Sequence, residues 1–272
     1  MRKLNSNITI LRSVAVSSAM LVSTLCWGGS VIDSSINANS VPEIRTMAAP
    51  LVNQSSSHGP FAEGYQDNPP KVFGKTYGEW SAEWVKWATA SKAAAIIDTS
   101  GKFCSVNQPK SGVWFLAGTF GGSAQRTCTI PPNRRLFYPL VESAWVDCPG
   151  TADEDLTDAE VRTIMAGSLD LAGELTSTVD GVAVAGLQML TARVQSPKFT
   201  SIIPRHYTLD GCTPHLPAGK SGRQIVDGYW VMLPPLSSGH HELTLHGSII
   251  YNLSRLFETE ATYHLTVRQG EH

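Results

Sequence analysis

The chain has 272 residues, 42% of them hydrophobic and 16% charged, with 21 basic and 23 acidic side chains and a formal charge of -2 at pH 7. That length can bury a substantial core, as one domain or two small ones. The near-neutral balance, with no cluster of Lys or Arg, excludes a nucleic-acid partner, because phosphate recognition needs concentrated positive charge.

Arg2, Lys3 and Arg12 precede an uncharged, mainly apolar stretch from Ser13 to Trp27. This is the layout of a secretory leader, too short and too rich in serine to span a membrane. Residues 1–38 are therefore expected to be a signal peptide, with small-residue cleavage options near Gly29-Ser30, Ala38 and Ala48-Ala49. Leu25 stands before Cys26 where a lipoprotein needs a small residue, which favours a conventional cut. Losing the leader removes Cys26 and leaves Cys104, Cys128, Cys148 and Cys212. An even count permits complete pairing in an oxidising compartment. A cut near Ala38 also removes three basic residues and one acidic residue, Asp33, moving the formal charge from -2 to -4. Beyond the leader no apolar run approaches the ~20 residues needed to cross a bilayer, so no membrane span is expected in the mature chain. The expected location is secreted or periplasmic.

Residues 39–75 are rich in Ser, Pro, Asn and Gly without periodicity and read as a flexible linker or arm. A single β domain over 76–272 follows. Its first element is a helix near 77–95, opened by a capping box of Thr76 and Glu79. Tyr77, Trp80, Trp84, Trp87 and Ala88 form one stripe of that helix. Such a stripe normally faces a core; as an exposed platform it would offer Trp80, Trp84 and Trp87, with Tyr229, as a ligand surface.

Val113 to Gly118 and Arg126 to Ile130 read as strands joined in a hairpin through Gly121-Gly122-Ser123. Leu136 to Leu140 gives a third, which Pro139 ends or places at an edge. Four cysteines allow three connectivities. Position favours Cys104–Cys128, which would staple that hairpin, and Cys148–Cys212 as the remaining pair. A second helix is expected near 158–172, with a Thr157–Glu160 capping box, a Leu156–Val161 hydrophobic staple and Gly173 as its terminal glycine. Val161, Ile164, Met165, Leu169 and Ala172 supply its apolar face. The acidic run Asp153, Glu154, Asp155 and Asp158 lacks the alternation and central glycine of a calcium loop and suits a helix N-terminus.

From Leu175 onward the chain is β throughout, starting with a tight hairpin around Asp180-Gly181. Short strands follow near Arg193, Phe199 to Ile203, Tyr229 to Leu233, His241 to His246 and Ala261 to Arg268. This spacing predicts a mainly β fold, an antiparallel β-sandwich of jelly-roll or immunoglobulin-like type with two flanking helices.

Several segments carry a resemblance: Tyr77-Gly78-Glu79-Trp80 with Trp84 and Trp87, Val113 to Gly118, Arg126 to Pro131, Asp227-Gly228-Tyr229-Trp230, and Pro235 to His241. Together they resemble a group of secreted bacterial proteins with no assigned activity, over most of the chain from Thr76. The resemblance implies a bacterial, exported origin and transfers no site. The closing strands, with their Pro-Leu-x-x-Gly-His turn, also resemble an immunoglobulin-like module.

Motifs of chemistry are sparse. His241 to His246 has one residue too many for the zinc-protease pattern. On a strand, His240, Glu242 and His246 share a face, and His264 from a neighbouring strand can join them as ligands of a divalent metal; the alternative is an ordinary polar face. No Gly-x-Ser-x-Gly, phosphate loop or dinucleotide fingerprint occurs. The expected role is binding or structural, without a cofactor, in the bacterial envelope or outside the cell, with carbohydrate or another envelope protein as partner. The rival reading is a carbohydrate-active or metal-dependent hydrolase.

Overall fold

The computed structural model describes residues 71–90, 95–184, 191–205, 211–252 and 254–270, all within a compact unit spanning 59–272. Helix α1, Tyr77–Thr89, starts at the Thr76 cap, whose hydroxyl accepts from the Glu79 amide while Glu79 accepts from the Thr76 amide at 2.7 Å. Helix α2, Asp158–Leu169, repeats the device with Thr157 and Glu160. Leu156 packs beside Val161, Met165 and Ile225, the contact the staple predicts. Both helices end earlier than expected. Asp170 caps α2, and Ala172 and Gly173 already belong to the next strand, where Gly173 is crowded by Ile250.

Eleven strands are formed among the described residues. They are β1 (Val113–Phe115), β2 (Gly122–Ile130), β3 (Arg135–Val146), β4 (Ala172–Val179), β5 (Val182–Ala183), β6 (Thr191–Gln195), β7 (Ile202–Ile203), β8 (Gly219–Lys220), β9 (Gln224–Leu233), β10 (Gly239–Tyr251) and β11 (Ser254–Val267). One sheet has the order β1-β3-β9-β6, a second β2-β11-β10-β4-β5, and β7 and β8 form a small ribbon. Each large sheet is mixed, because β1 runs parallel to β3 and β2 parallel to β11. The expectation of a wholly antiparallel arrangement is corrected on that point. The Asp180-Gly181 turn joins β4 to β5 with positive φ at both residues (53° and 76°), as a type I′ hairpin requires.

The expected hairpin between the first two strands does not form. After β1 the chain leaves the first sheet through Leu116 to Phe120 and enters the second as β2. The Cys104–Cys128 disulfide therefore joins the segment before β1 to the opposite sheet rather than closing a hairpin. Cys148–Cys212 ties the end of β3 to the segment before β8. With sequence separations of 24 and 64, the two bridges restrict the unfolded chain by roughly 3 and 4 kcal/mol on the loop-entropy estimate.

Residues of both sheets, among them Leu116, Ile130, Tyr138, Val231, Leu245 and Leu265, form a shared core. Where β10 meets β3, a Cβ on Gly247 would lie 2.1 Å from the Leu140 carbonyl oxygen, so only glycine allows that approach. The other face of the first sheet is covered by α1, whose three tryptophans join Phe115, Phe137 and Trp230 in a second core. With both faces covered, all ten residues of β9 are buried, which explains why apolar side chains fall on both of its faces.

Pro139 does not end β3, which continues to Val146 paired with β9; the proline lies past the last β1 partner, Phe137, where β3 is locally an edge, and a bulge falls between Pro139 and Val141. The Leu116 amide donates to the Phe137 carbonyl at 3.1 Å, so the next parallel rung would run from residue 139 to the Leu116 oxygen. Proline has no N–H to give. The Trp84 indole N–H takes that place, donating to the Leu116 oxygen at 2.8 Å. On its other edge β1 is paired by a side chain: the Gln108 amide both donates to and accepts from Phe115.

Trp84→Phe should therefore cost about 2–3 kcal/mol, through an unpaired buried carbonyl and lost volume. In a Pro139→Ala background, where residue 139 regains an N–H, the penalty should shrink by about 0.5 kcal/mol or more. Urea unfolding of the four proteins checks this, and strictly additive losses would refute the substitution of one donor for the other.

Candidate binding cleft

The tryptophans of α1 do not present a platform. Trp80, Trp84 and Trp87 are 2%, 1% and 8% exposed, and each indole N–H is spent on a backbone carbonyl: Trp80 on Val72, Trp84 on Leu116, Trp87 on Val106. Their rings pack edge-on or tilted against Phe115 and Trp230, with Trp230 stacked on Phe137 at 5.2 Å. Tyr229 is buried on the opposite face of β9, beside Arg193, because neighbouring strand residues point to opposite sides. Trp230, which sequence reasoning passed over as a site residue, occupies the position facing α1.

Two of these indoles nevertheless shape a cleft. Val72 lies in a turn with Phe73, Gly74 and Lys75; Val106 begins the segment carrying Asn107 and Lys110. By holding the Val72 and Val106 carbonyls, Trp80 and Trp87 fix two lips on either side of the outer end of α1. The space between them measures about 420 Å³. Phe73, Lys75, Glu83, Lys86, Lys110 and Ser111 line it, with edges of Trp80, Trp87 and Phe115.

The charge in this cleft is unbalanced. Among the described residues Glu83 is its one carboxylate, shared between Lys75 at 3.5 Å and Lys86 at 3.3 Å. Both pairs are about two-fifths exposed, so solvent screening leaves them weak and the ammonium groups free to turn toward another anion. Lys110 is exposed and has no carboxylate partner among the described residues. The Lys75 ammonium also rests 5.0 Å from the Trp80 ring centre. Ser111 Oγ is buried and has no hydrogen-bond partner.

The four residues considered as metal ligands share the outer face of the second sheet but do not converge. Glu242 faces His264 across the β10–β11 pairing at 3.7 Å, His240 bonds Thr266, and His246 bonds Glu258 at 2.9 Å. Alternate residues along a strand lie about 6.6 Å apart, so a flat strand spreads 240, 242 and 246 rather than gathering them. Among the described residues no group of three or more His, Cys, Asp or Glu is placed to hold a metal ion. His241 instead bonds Asp180 at 2.8 Å, which lifts the imidazole above its ordinary range and holds the carboxyl below its own.

A half-buried acid that no motif flagged, with its Oε2 atom shielded from solvent, lies elsewhere on the first sheet. Glu142 pairs with Gly228 across β3 and β9, and a Cβ on Gly228 would fall 2.7 Å from Glu142 Cβ and 2.9 Å from Trp230 Nε1. The carboxyl and the indole thus flank the same glycine, yet neither Glu142 Oε2 nor Trp230 Nε1 has a partner. Burial pushes the Glu142 carboxyl from 4.5 up to about 7. Nearby, burial also raises Asp227, despite the Gln195 amide at 2.9 Å and Arg193 at 3.5 Å.

No protein family model, curated protein or solved structure matches this chain, so its chemistry rests on its own geometry.

The sign of the Glu142 effect is opposite to that of an ion-paired carboxylate. The folded state holds the proton more tightly than the unfolded state, so stability is complete below about pH 4.5 and declines as pH rises toward 7. The shift from 4.5 to about 7 corresponds to on the order of 3 kcal/mol. Glu142→Gln should be nearly neutral at pH 4.5 and stabilising at pH 8. Thermal unfolding across that range checks it; parallel pH profiles of the two proteins would show that the carboxyl ionises freely.

Proposed function

We propose that the protein is an exported bacterial binding protein and that the cleft beside α1 receives an anionic ligand. The observation that carries this reading is the cleft's charge: Lys75, Lys86 and Lys110 against Glu83 alone, in a chain that is acidic overall. A cavity of about 420 Å³ is within the usual size range of small-ligand sites. Export is supported by two formed disulfides, by the absence of a membrane-crossing helix among the described residues, and by the basic-then-apolar N-terminal sequence.

The site has the means to bind rather than to transform. Its lining supplies ammonium groups, one amide and one hydroxyl, which donate hydrogen bonds and neutralise charge. Among the described residues its one carboxylate, Glu83, is engaged by two lysines, and no histidine or cysteine lines the cleft. Affinity is expected to come from charge pairing at a half-open site and so to fall with salt.

Two measurements test the reading. Protein recovered from its native cells should begin between residues 29 and 49 and show no titratable thiol before reduction; an intact Met1 with all five cysteines as free thiols would overturn export. By calorimetry at low salt, dextran sulfate should bind and neutral dextran should not. The double variant Lys86→Glu/Lys110→Glu should weaken binding about tenfold or more. Indifference to either the polymer's charge or the double reversal would remove the cleft from consideration.

A further inference from the structure

Phe73 is out of place by every local rule. It sits with φ at 48°, a left-handed conformation that costs a bulky side chain and is ordinarily filled by Asn or Gly. Val72 and Lys75 pair around it, and Gly74 follows at φ 78°, so the turn has the backbone of a two-residue hairpin with an aromatic in its first position. Its ring is not there to fill a core, being 57% exposed at the rim of the cleft. The ring tip rests on Gly112, where an added Cβ would meet Phe73 Cζ at 2.2 Å. A strained, exposed aromatic, propped on a glycine beside three lysines, is held for something other than stability.

Resting on the cleft being the ligand site, we infer that its ligand is an acidic saccharide. Phe73 stacks on the apolar face of one sugar ring while Lys75, Lys86 and Lys110 pair with the ring's carboxylate or sulfate. The rest of the lining fits this chemistry. The exposed Asn107 amide adds a donor suited to hydroxyl groups. A peptide is a poorer match. The lips are turns, and the Val72 and Val106 carbonyls that a peptide backbone would engage are already taken by Trp80 and Trp87.

The test uses oligogalacturonate by calorimetry, with inorganic sulfate followed by amide chemical shifts as a probe of the lysines alone. Phe73→Ala should weaken oligogalacturonate roughly tenfold, and Phe73→Trp should retain it. The sulfate shifts should be the same in Phe73→Ala as in wild type. Phe73→Gly should lose the saccharide equally while raising the melting temperature, a combination that a purely structural ring does not give. Gly112→Ala, which displaces the ring without removing it, should reproduce the loss. If Phe73→Ala leaves saccharide affinity intact while Lys86→Glu/Lys110→Glu abolishes it, the cleft stands and the saccharide assignment falls. Tighter, Phe73-dependent binding of a nucleoside monophosphate also overturns the assignment. If no anion binds, both readings fall together.

Discussion

The hydrogen bond from the Trp84 indole to the Leu116 carbonyl is the constraint on which the packing of α1 turns. Pro139 breaks the parallel ladder between β1 and β3, and a side chain from another element supplies the missing donor. The exchange locks the helix to the sheet at a fixed depth and rotation. Once Trp84 is placed, the 3.6-residue repeat brings Trp80 and Trp87 to either side of it on the same face. Their N–H groups can then reach only the loops flanking the helix. A defect in one strand pairing thus propagates into the position of three large side chains.

The second constraint is how the chain passes between sheets. Between Leu116 and Phe120 it leaves one sheet for the other, and the crossing is secured at several points. The Cys104–Cys128 bridge spans it. Arg126, 2% exposed, donates to the carbonyls of Asp98 and Ala117 and to the Tyr263 hydroxyl, and its guanidinium lies over that ring. Backbone carbonyls and a phenol face this cation, and among the described residues no carboxylate pairs with it directly. A buried charge must find such acceptors, since leaving it unpaired costs several kcal/mol on the order of the largest point-mutant effects. Gly247 makes the closest approach of the two sheets possible at the other side of the shared core.

What the sequence disclosed, and what it withheld, follows from the range of the interactions. Both capping boxes, the Leu156 staple and the Asp180-Gly181 turn are set by residues within five positions of one another, and all are legible in a linear reading. Cysteine parity and position likewise pointed to the two bridges that form. The parallel pairings were not legible, because β2 pairs with residues of β11 that lie 137 positions later and nothing local distinguishes that partner from a hairpin. Pro139 was half legible: it does lie beyond the β1 pairing, as an edge proline should, but β3 continues past it against β9, and the Trp84 donor beside it is remote in sequence. The same limit hid Glu142, which lies beyond the point where the strand was expected to stop.

The aromatic helix shows why a site can be half visible. Trp80, Trp84 and Trp87 announce themselves as a dense stripe, and the natural choice is between core and platform. The structure gives them a third use. Buried as core, they spend their polar atoms on Val72 and Val106, and those two carbonyls anchor the turns that carry Phe73, Lys75, Asn107 and Lys110. The tryptophans frame the cleft while staying buried, Trp80 meeting it beneath the Lys75 ammonium. The residues that meet solvent there belong to turns, whose sequences carry no periodicity to read. The one anomaly in them, a phenylalanine where the backbone calls for asparagine or glycine, becomes visible only with the dihedral angle in hand. An aromatic helix of this kind therefore points to a site by the loops its N–H groups can reach, rather than by the rings themselves.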